Sequence, residues 1–372
     1  MTELYIGLMS GTSLDGVDGV LVDLAQLPSR PLVVLAHAHR AFGSALASEL
    51  LALNTPGDNE LHRAALAGNA LARVYAEVIE ALLASTGTPA DQVHAGGAHG
   101  QTVRHRPREF DGTGYTLQLG SPALLAELCG IDVVADLRSR DVAAGGQGAP
   151  LVPAFHRAVF GLDGQTVAVL NIGGIANLTA LHSDGSTTGF DCGPGNALMD
   201  YWCRQHTGHP FDDNGAWAAS GTVNEPLLTR MLGEPYFALP PPKSTGRDLF
   251  HSAWLAEHLR SHGMLGAQDV QATLAELTAG AGARAVRQHA PSAHELLVCG
   301  GGALNSHLMG RIKARLPDIH VMPTDARGLP ALQVEACAFA WLARAFCHHE
   351  CANLGAVTGA SGPRRLGALY PA

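Results

Sequence analysis

Residues 4–24 read LYIGLMSGTSLDGVDGVLVDL, and residues 166–181 read TVAVLNIGGIANLTAL. Each stretch is an apolar run, a turn of small residues, and a second apolar-rich run. That pattern predicts two β-hairpins whose turns carry almost no side chain: Ser10, Gly11 and Thr12 in the first, Gly173 and Gly174 in the second. A hairpin unit that occurs twice predicts a duplicated α/β lobe, and a cleft between two copies is a usual seat for a ligand. A third glycine turn, Gly300-Gly301-Gly302, follows a short strand at 295–298 and leads into a helix at 305–316.

The segments around the hairpins read as helices and further strands. Ala67, Leu71, Val74, Val78 and Leu82 recur at helical spacing, which predicts an amphipathic helix. Ser121-Pro122 opens another, with Ser as N-cap and Pro in the first turn. Further helices are expected near 197–206, 250–262, 270–288 and 332–346. The Gly-rich stretch at 143–148 divides the chain into an N-terminal lobe, 1–144, and a C-terminal lobe, 145–372.

Composition narrows the function classes. The chain has 372 residues, 47% hydrophobic and 15% charged, which is a folded globular composition. A net charge of -9 argues against a nucleic-acid partner, because a phosphate backbone calls for a basic surface. One nucleotide needs only a local set of N–H donors. No apolar stretch approaches a membrane span, no leader is visible at the N-terminus, and the seven cysteines form no CxxC pair. A cytoplasmic setting without a membrane is the expectation. The run Cys347-His348-His349-Glu350-Cys351 lacks the spacing of a zinc site and reads as the polar end of a helix.

Several places have residue types suited to chemistry. In Gly11, Thr12, Ser13, Leu14, Asp15, Gly16, Val17 and Asp18, the bare main chain and hydroxyls suit a phosphate, and Asp15 and Asp18 suit a hydrated Mg²⁺; the same residues also make an ordinary tight turn. At 190–200, FDCGPGNALMD, Asp191 is expected to emerge at a strand tip beside a rigid turn, with Asn196 capping the next helix. A carboxylate so placed suits a general base or a turn brace. Glu335 heads an apolar helical stripe with Phe339, Leu342 and Phe346, as a dipole partner or as a group aimed into a pocket. His99 and Arg138 lie in polar islands just after apolar strands, where α/β folds face ligands, and Arg138 suits a carboxylate or an ion pair with Asp136 or Asp141. Lys243 and Arg247, in PPKSTGRD, read as a surface loop or as anion contacts.

These segments, in this order, resemble the anhydro-N-acetylmuramic acid kinase family: GLMSGTSLDGVD (7–18), HGQT (99–102), RSRD (138–141), GGQGAPLVPAFH (145–156), NIGGIANL (171–178), FDCGPGNALMD (190–200), PKSTGR (242–247), DVQATLAELTA (269–279), CGGGALN (299–305), EACAFAWLA (335–343) and TGASG (358–362). The resemblance implies the actin, hexokinase and Hsp70 superfold, two ribonuclease-H-like lobes with an ATP cleft between them. It implies ATP-dependent, hydrolytic opening of the 1,6-anhydro bridge of 1,6-anhydro-N-acetylmuramic acid with phosphorylation of O6. It makes residues 11–18 the phosphate loop, with Gly173, Gly174, Gly300, Gly301 and Gly302 on the nucleotide, and Asp191 the catalytic Asp. Glu335 becomes a residue that helps to hold the water or sugar, and His99 and Arg138 fall near the sugar. A homodimer is expected on the same ground. The rival readings are a kinase of a free sugar hydroxyl and an ATP-gated binding protein like actin or Hsp70. The chain carries Cys192 where the family often has Thr after the catalytic Asp.

Overall fold

The predicted hairpin at 4–24 forms from β1 (Leu4–Met9) and β2 (Gly16–Asp23), paired antiparallel with Met9 opposite Asp18. The computed structural model describes residues 2–11, 13–27, 32–246 and 249–372. β3 (Val33–Ala41) adds antiparallel to β2, and β4 (Val93–Ala98) adds parallel to β1. β5 (Gln101–Pro107) and β6 (Gly114–Leu119) make a separate two-stranded ribbon, and β7 (Val133–Ala135) pairs parallel with β4. The order β3-β2-β1-β4-β7 places β1 at the centre, so its residues Tyr5, Ile6 and Leu8 are all buried rather than alternating.

The hairpin at 166–181 repeats this plan. β8 (Val167–Ile172) and β9 (Ile175–Leu181) pair antiparallel, β10 (Thr187–Pro194) adds antiparallel to β9, and β11 (Glu295–Cys299) and β12 (His320–Pro323) follow in parallel beyond β8. The order β10-β9-β8-β11-β12 matches β3-β2-β1-β4-β7 strand for strand and direction for direction. The helix Ala267–His289 fills the core of this half. Its buried carboxylate, Glu276, is ion-paired with both Arg311 and Arg315, as an interior charge requires.

After β12 the chain returns to the first sheet. The helix Val334–Cys347 packs on β1 and β4, and β13 (Ala368–Tyr370) extends the sheet antiparallel along β7. The approach of that helix is close. A Cβ on Gly7 would collide with the Ala336 carbonyl, and one on Gly97 with the Phe339 carbonyl. Glycine at these two strand positions lets a helix backbone lie directly on the sheet.

The two compact units are therefore 1–159 with 333–372, and 160–332. The expected division into 1–144 and 145–372 differs from this. The glycines at 145, 146 and 148 are a turn inside the first unit. Residues 333–372 belong to its sheet rather than to the second unit, because the helix that carries them buries its face on β1. Among the described residues no helix is long and apolar enough to cross a membrane. The 347–351 run stands where the helix Val334–Cys347 ends, and its His348 bonds Glu3.

Candidate active site

In the first unit, two loops at the ends of β1 and β4 are laced together. The Ser10 hydroxyl donates to the Gly100 carbonyl at 3.0 Å and is 2.9 Å from the Tyr75 hydroxyl. The Gln101 side-chain amide donates to the Gly11 carbonyl at 3.0 Å, and the His99 main-chain N–H donates to the Leu8 carbonyl at 3.0 Å. These bonds fix the start of the 11–18 turn. Thr12 lies outside the described residues. Gly11 has no packing reason to be glycine, since a Cβ there would meet nothing nearer than Ser13 Oγ at 3.6 Å. Gly16 is different: its Cβ would collide with the Arg40 carbonyl of β3. Leu14 holds a positive φ of 58°, Val17 is buried in the core, and Ser13 Oγ donates to Asp15 Oδ1 at 2.7 Å.

Asp15 and Asp18, the expected magnesium carboxylates, have different surroundings. Asp15 is exposed in the turn, whereas Asp18 Oδ1 receives two imidazoles from β3, His37 Nε2 at 3.0 Å and His39 Nδ1 at 3.2 Å. One carboxylate is engaged with a turn hydroxyl and the other with two imidazoles of a strand.

His99 and Arg138, predicted separately, come together. Arg138 donates to His99 Nε2 from Nη2 at 3.0 Å and from Nε at 3.2 Å, and Nη1 donates to the Gly148 carbonyl at 2.7 Å. Because Nε2 accepts, the ring proton is on Nδ1, which donates to the Ser10 carbonyl at 3.1 Å. Burial, with the Arg138 charge as second cause, lowers the His99 pKa to about 3. The imidazole is therefore a neutral strut between loop and guanidinium. It also lies against Phe339, ring centroids 4.8 Å apart, four residues along the helix from Glu335. Glu335 occupies that helix's first turn, beside Ala336 whose carbonyl lies over Gly7. Both of its readings, dipole partner and site group, are consistent with this position.

Asp141 is not an ion-pair partner of Arg138 or Arg140. It is fully buried and braces three segments, accepting from Gly148 N at 2.8 Å, Asn353 Nδ2 at 2.7 Å and Thr358 Oγ1 at 2.8 Å. That gives the GGQG and TGASG motifs, more than two hundred positions apart, a shared physical role: they close on one carboxylate.

In the second unit, Asp191 lies within β10 rather than at its tip, opposite Asn177, and a bulge follows between Asp191 and Gly193. Bulges redirect side chains out of the pleat. Its Oδ2 accepts from Thr245 N at 2.9 Å, its N–H donates to the Lys243 carbonyl at 3.2 Å, and its carbonyl accepts from the Tyr236 hydroxyl at 2.7 Å. The carboxylate is thus half-buried and oriented by a main-chain donor. Lys243 lies 4.8 Å over the Tyr236 ring and 5.6 Å from that of Phe190, and burial holds its pKa below the usual ammonium value. Burial also raises the neighbouring Cys192 thiol, so it stays protonated. No local signal identifies Tyr236, Lys243 and Thr245 as partners of Asp191, because about fifty residues of sequence intervene. Arg247 and Asp248 lie outside the described residues.

The remaining glycine turns converge on one end of this sheet. Asn196 N donates to the Gly173 carbonyl at 2.8 Å, and Gly195 N and Ala197 N donate to the Gly174 carbonyl at 3.0 and 3.1 Å. Asn196 makes no side-chain cap; its Nδ2 donates instead to the Ile172 carbonyl at 3.1 Å. Gly300 and Gly302 lie against Asn171 and Ile172, where a Cβ would collide, and Gly301 approaches Asn196. Asp200 stays on its helix, inside the first turn.

A family model described as anhydro-N-acetylmuramic acid kinase matches residues 3–372. A Variovorax paradoxus protein named anhydro-N-acetylmuramic acid kinase is 62% identical over all of this chain and 99% of its own length. One of that name from Cupriavidus metallidurans is 58% identical, over all of this chain and 98% of its own. Among solved structures, a ROK family glucokinase from Streptomyces griseus, in complex with glucose and AMPPNP, is similar with a TM-score of 0.44 at 14% identity, over 92% of this chain and 99% of that one.

Proposed function

This chain belongs to the anhydro-N-acetylmuramic acid kinase family, and from that premise we propose the roles its residues play. It is an ATP-dependent sugar kinase that acts on 1,6-anhydro-N-acetylmuramic acid. Asp191 is the general base. It takes a proton from a water aimed at C1 of the sugar while C1 gains oxocarbenium character, as in inverting glycoside hydrolysis. In an ordinary glycosidase the departing O6 would need an acid. Here it attacks the γ-phosphorus, so ATP stands where the acid would. The products are N-acetylmuramic acid 6-phosphate and ADP.

The observation that carries this reading is the presentation of Asp191. It sits at a bulge in its strand, and the Thr245 main chain fixes the direction of its carboxylate through Oδ2. Residues 11–18 are proposed to hold phosphate through bare main chain at Gly11 and the hydroxyls of Thr12 and Ser13. Gly173, Gly174, Gly300, Gly301 and Gly302 are proposed on the nucleotide side, Glu335 beside the water or sugar, and Arg138, braced by neutral His99, near the sugar carboxylate. Magnesium is proposed with the nucleotide, with Asp15 and Asp18 as the candidate carboxylates, since this small ion keeps water and takes one or two carboxylates. A homodimer in the cytoplasm completes the proposal.

Incubation with Mg-ATP and 1,6-anhydro-N-acetylmuramic acid in ¹⁸O-water tests it by mass spectrometry. The expected product is the 6-phosphate with label at C1. A 6-phosphate without label would overturn the hydrolytic step and leave a plain hydroxyl kinase.

A further inference from the structure

Two segments remote in sequence hold Asp191, and one side chain ties them to each other. The helical turn Pro235–Ala238 supplies the Tyr236 hydroxyl, which donates to the Asp191 carbonyl at 2.7 Å. Residues 243–245 supply the Lys243 carbonyl, which accepts from Asp191 N at 3.2 Å, and the Thr245 N–H, which donates to Asp191 Oδ2 at 2.9 Å. Lys243 Nζ then reaches back, donating to the Tyr236 carbonyl at 3.2 Å and to the Phe237 carbonyl at 3.4 Å. These bonds close a ring: Asp191 to Tyr236, Tyr236 to Lys243, and Lys243 to Asp191.

The ring has a fixed side. Tyr236 and Phe237 are buried, and both rings lie against Phe250, with centroids 5.8 and 5.7 Å away. Phe237 also packs on the bulge that follows Asp191, since a Cβ on Gly193 would meet its Cε1 at 2.6 Å. Residues 243–245 are the side that needs an anchor, and the lysine provides it. A lysine on a solvated loop would keep its donors in water, and one that binds an anion would present them to the anion. The Lys243 ammonium instead turns inward to two carbonyls, over the rings of Tyr236 and Phe190, and Phe190 precedes Asp191 in β10. That contact keeps the Thr245 N–H where it can aim Oδ2.

We propose that Lys243 is a positioning residue for the general base: its ammonium, together with the Tyr236 hydroxyl, locks the Thr245 main chain on Asp191 and so sets the direction of the carboxylate. The inference rests on the reading of Asp191 as the base and adds the side chains that hold it in place. Lys243 and Tyr236 act through Asp191 and take no part in bond breaking.

Steady-state kinetics in a double-mutant cycle test it. Lys243→Met, which keeps an unbranched apolar stem, should lower kcat by about 10–100-fold, the scale of a misplaced catalytic group, with the KM for ATP and for the sugar within about threefold. Tyr236→Phe, which keeps the ring, should lower kcat by about 3–10-fold, the scale of one neutral hydrogen bond. In an Asp191→Asn background each should cost less than about twofold further, because a positioning residue acts only through the group it holds. A loss from Lys243→Met that is the same with and without the Asp191 carboxylate overturns the proposal. A raised KM for ATP with kcat unchanged overturns it too, and makes the lysine an anion contact. If Lys243→Met does not fold, Tyr236→Phe decides by the same cycle: no loss, or a loss that Asp191→Asn leaves unchanged, overturns the proposal. Near-normal turnover of Asp191→Asn alone would instead overturn the reading of Asp191 as the base.

Discussion

Between β1 and β2 the chain passes through residues 10–15; between β8 and β9 it turns through Gly173-Gly174 alone. The two hairpins hold the same place in the same strand order. The first turn is open, with Ser13 and Asp15 exposed and Gly11 facing space a side chain would fit. The second is bonded shut, its two carbonyls accepting three N–H groups from 195–197. One backbone plan thus occurs with two kinds of turn: the first keeps Ser13 and Asp15 exposed, and the second is tied to residues 195–197, just beyond the bulge that follows Asp191.

The largest effect that tests this division is at the second hairpin's neighbour. Asp191→Asn should lower turnover by about 10²–10⁴-fold, the scale of a general base, with ATP affinity retained. Near-normal turnover with intact nucleotide binding, read by calorimetry, would remove the catalytic half of the comparison.

A smaller effect separates two glycines of the first hairpin. Gly7→Ala should destabilise by about 1–3 kcal/mol in denaturant melts, because its methyl would strike the helix Val334–Cys347. Gly11→Ala should leave stability within about 0.5 kcal/mol and weaken ATP binding. Equal stability losses at both positions would show that the 10–15 turn is a packing element like its counterpart.

The smallest concerns pH. Burial lowers His99 and His156 to about 3, against about 6.5 in the unfolded chain. Between those values the unfolded state binds more protons, so stability should fall as pH drops from about 6.5 towards 3 and be flat above neutrality. His156→Gln should flatten the slope measured by urea melts between about pH 7 and 5. A slope unchanged in that variant would assign the acid sensitivity elsewhere.

Much of the fold is legible in the chain. Apolar runs, small-residue turns and helical periodicity locate both hairpins, the strand Val93–Ala98 and the long helices, since these signals are local. Residue types single out the candidate site groups, but not their partners. The sequence around Asp141 suggests a surface ion pair, and the residue is instead the buried brace of 148, 353 and 358. Asn196 has the type and place of a helix cap, and its side chain instead ties to Ile172.

By itself, then, the order of residues determined where the chain turns and which side chains have types suited to chemistry, because turn propensity and periodicity act over a few positions. Only the tertiary structure decided that residues 333–372 rejoin the first sheet, that Arg138 is braced on His99, and that Thr245 aims Asp191. Those outcomes depend on helix backbone reaching sheet backbone at Gly7 and Gly97 and on hydrogen bonds closed across long stretches of chain, which no local pattern records.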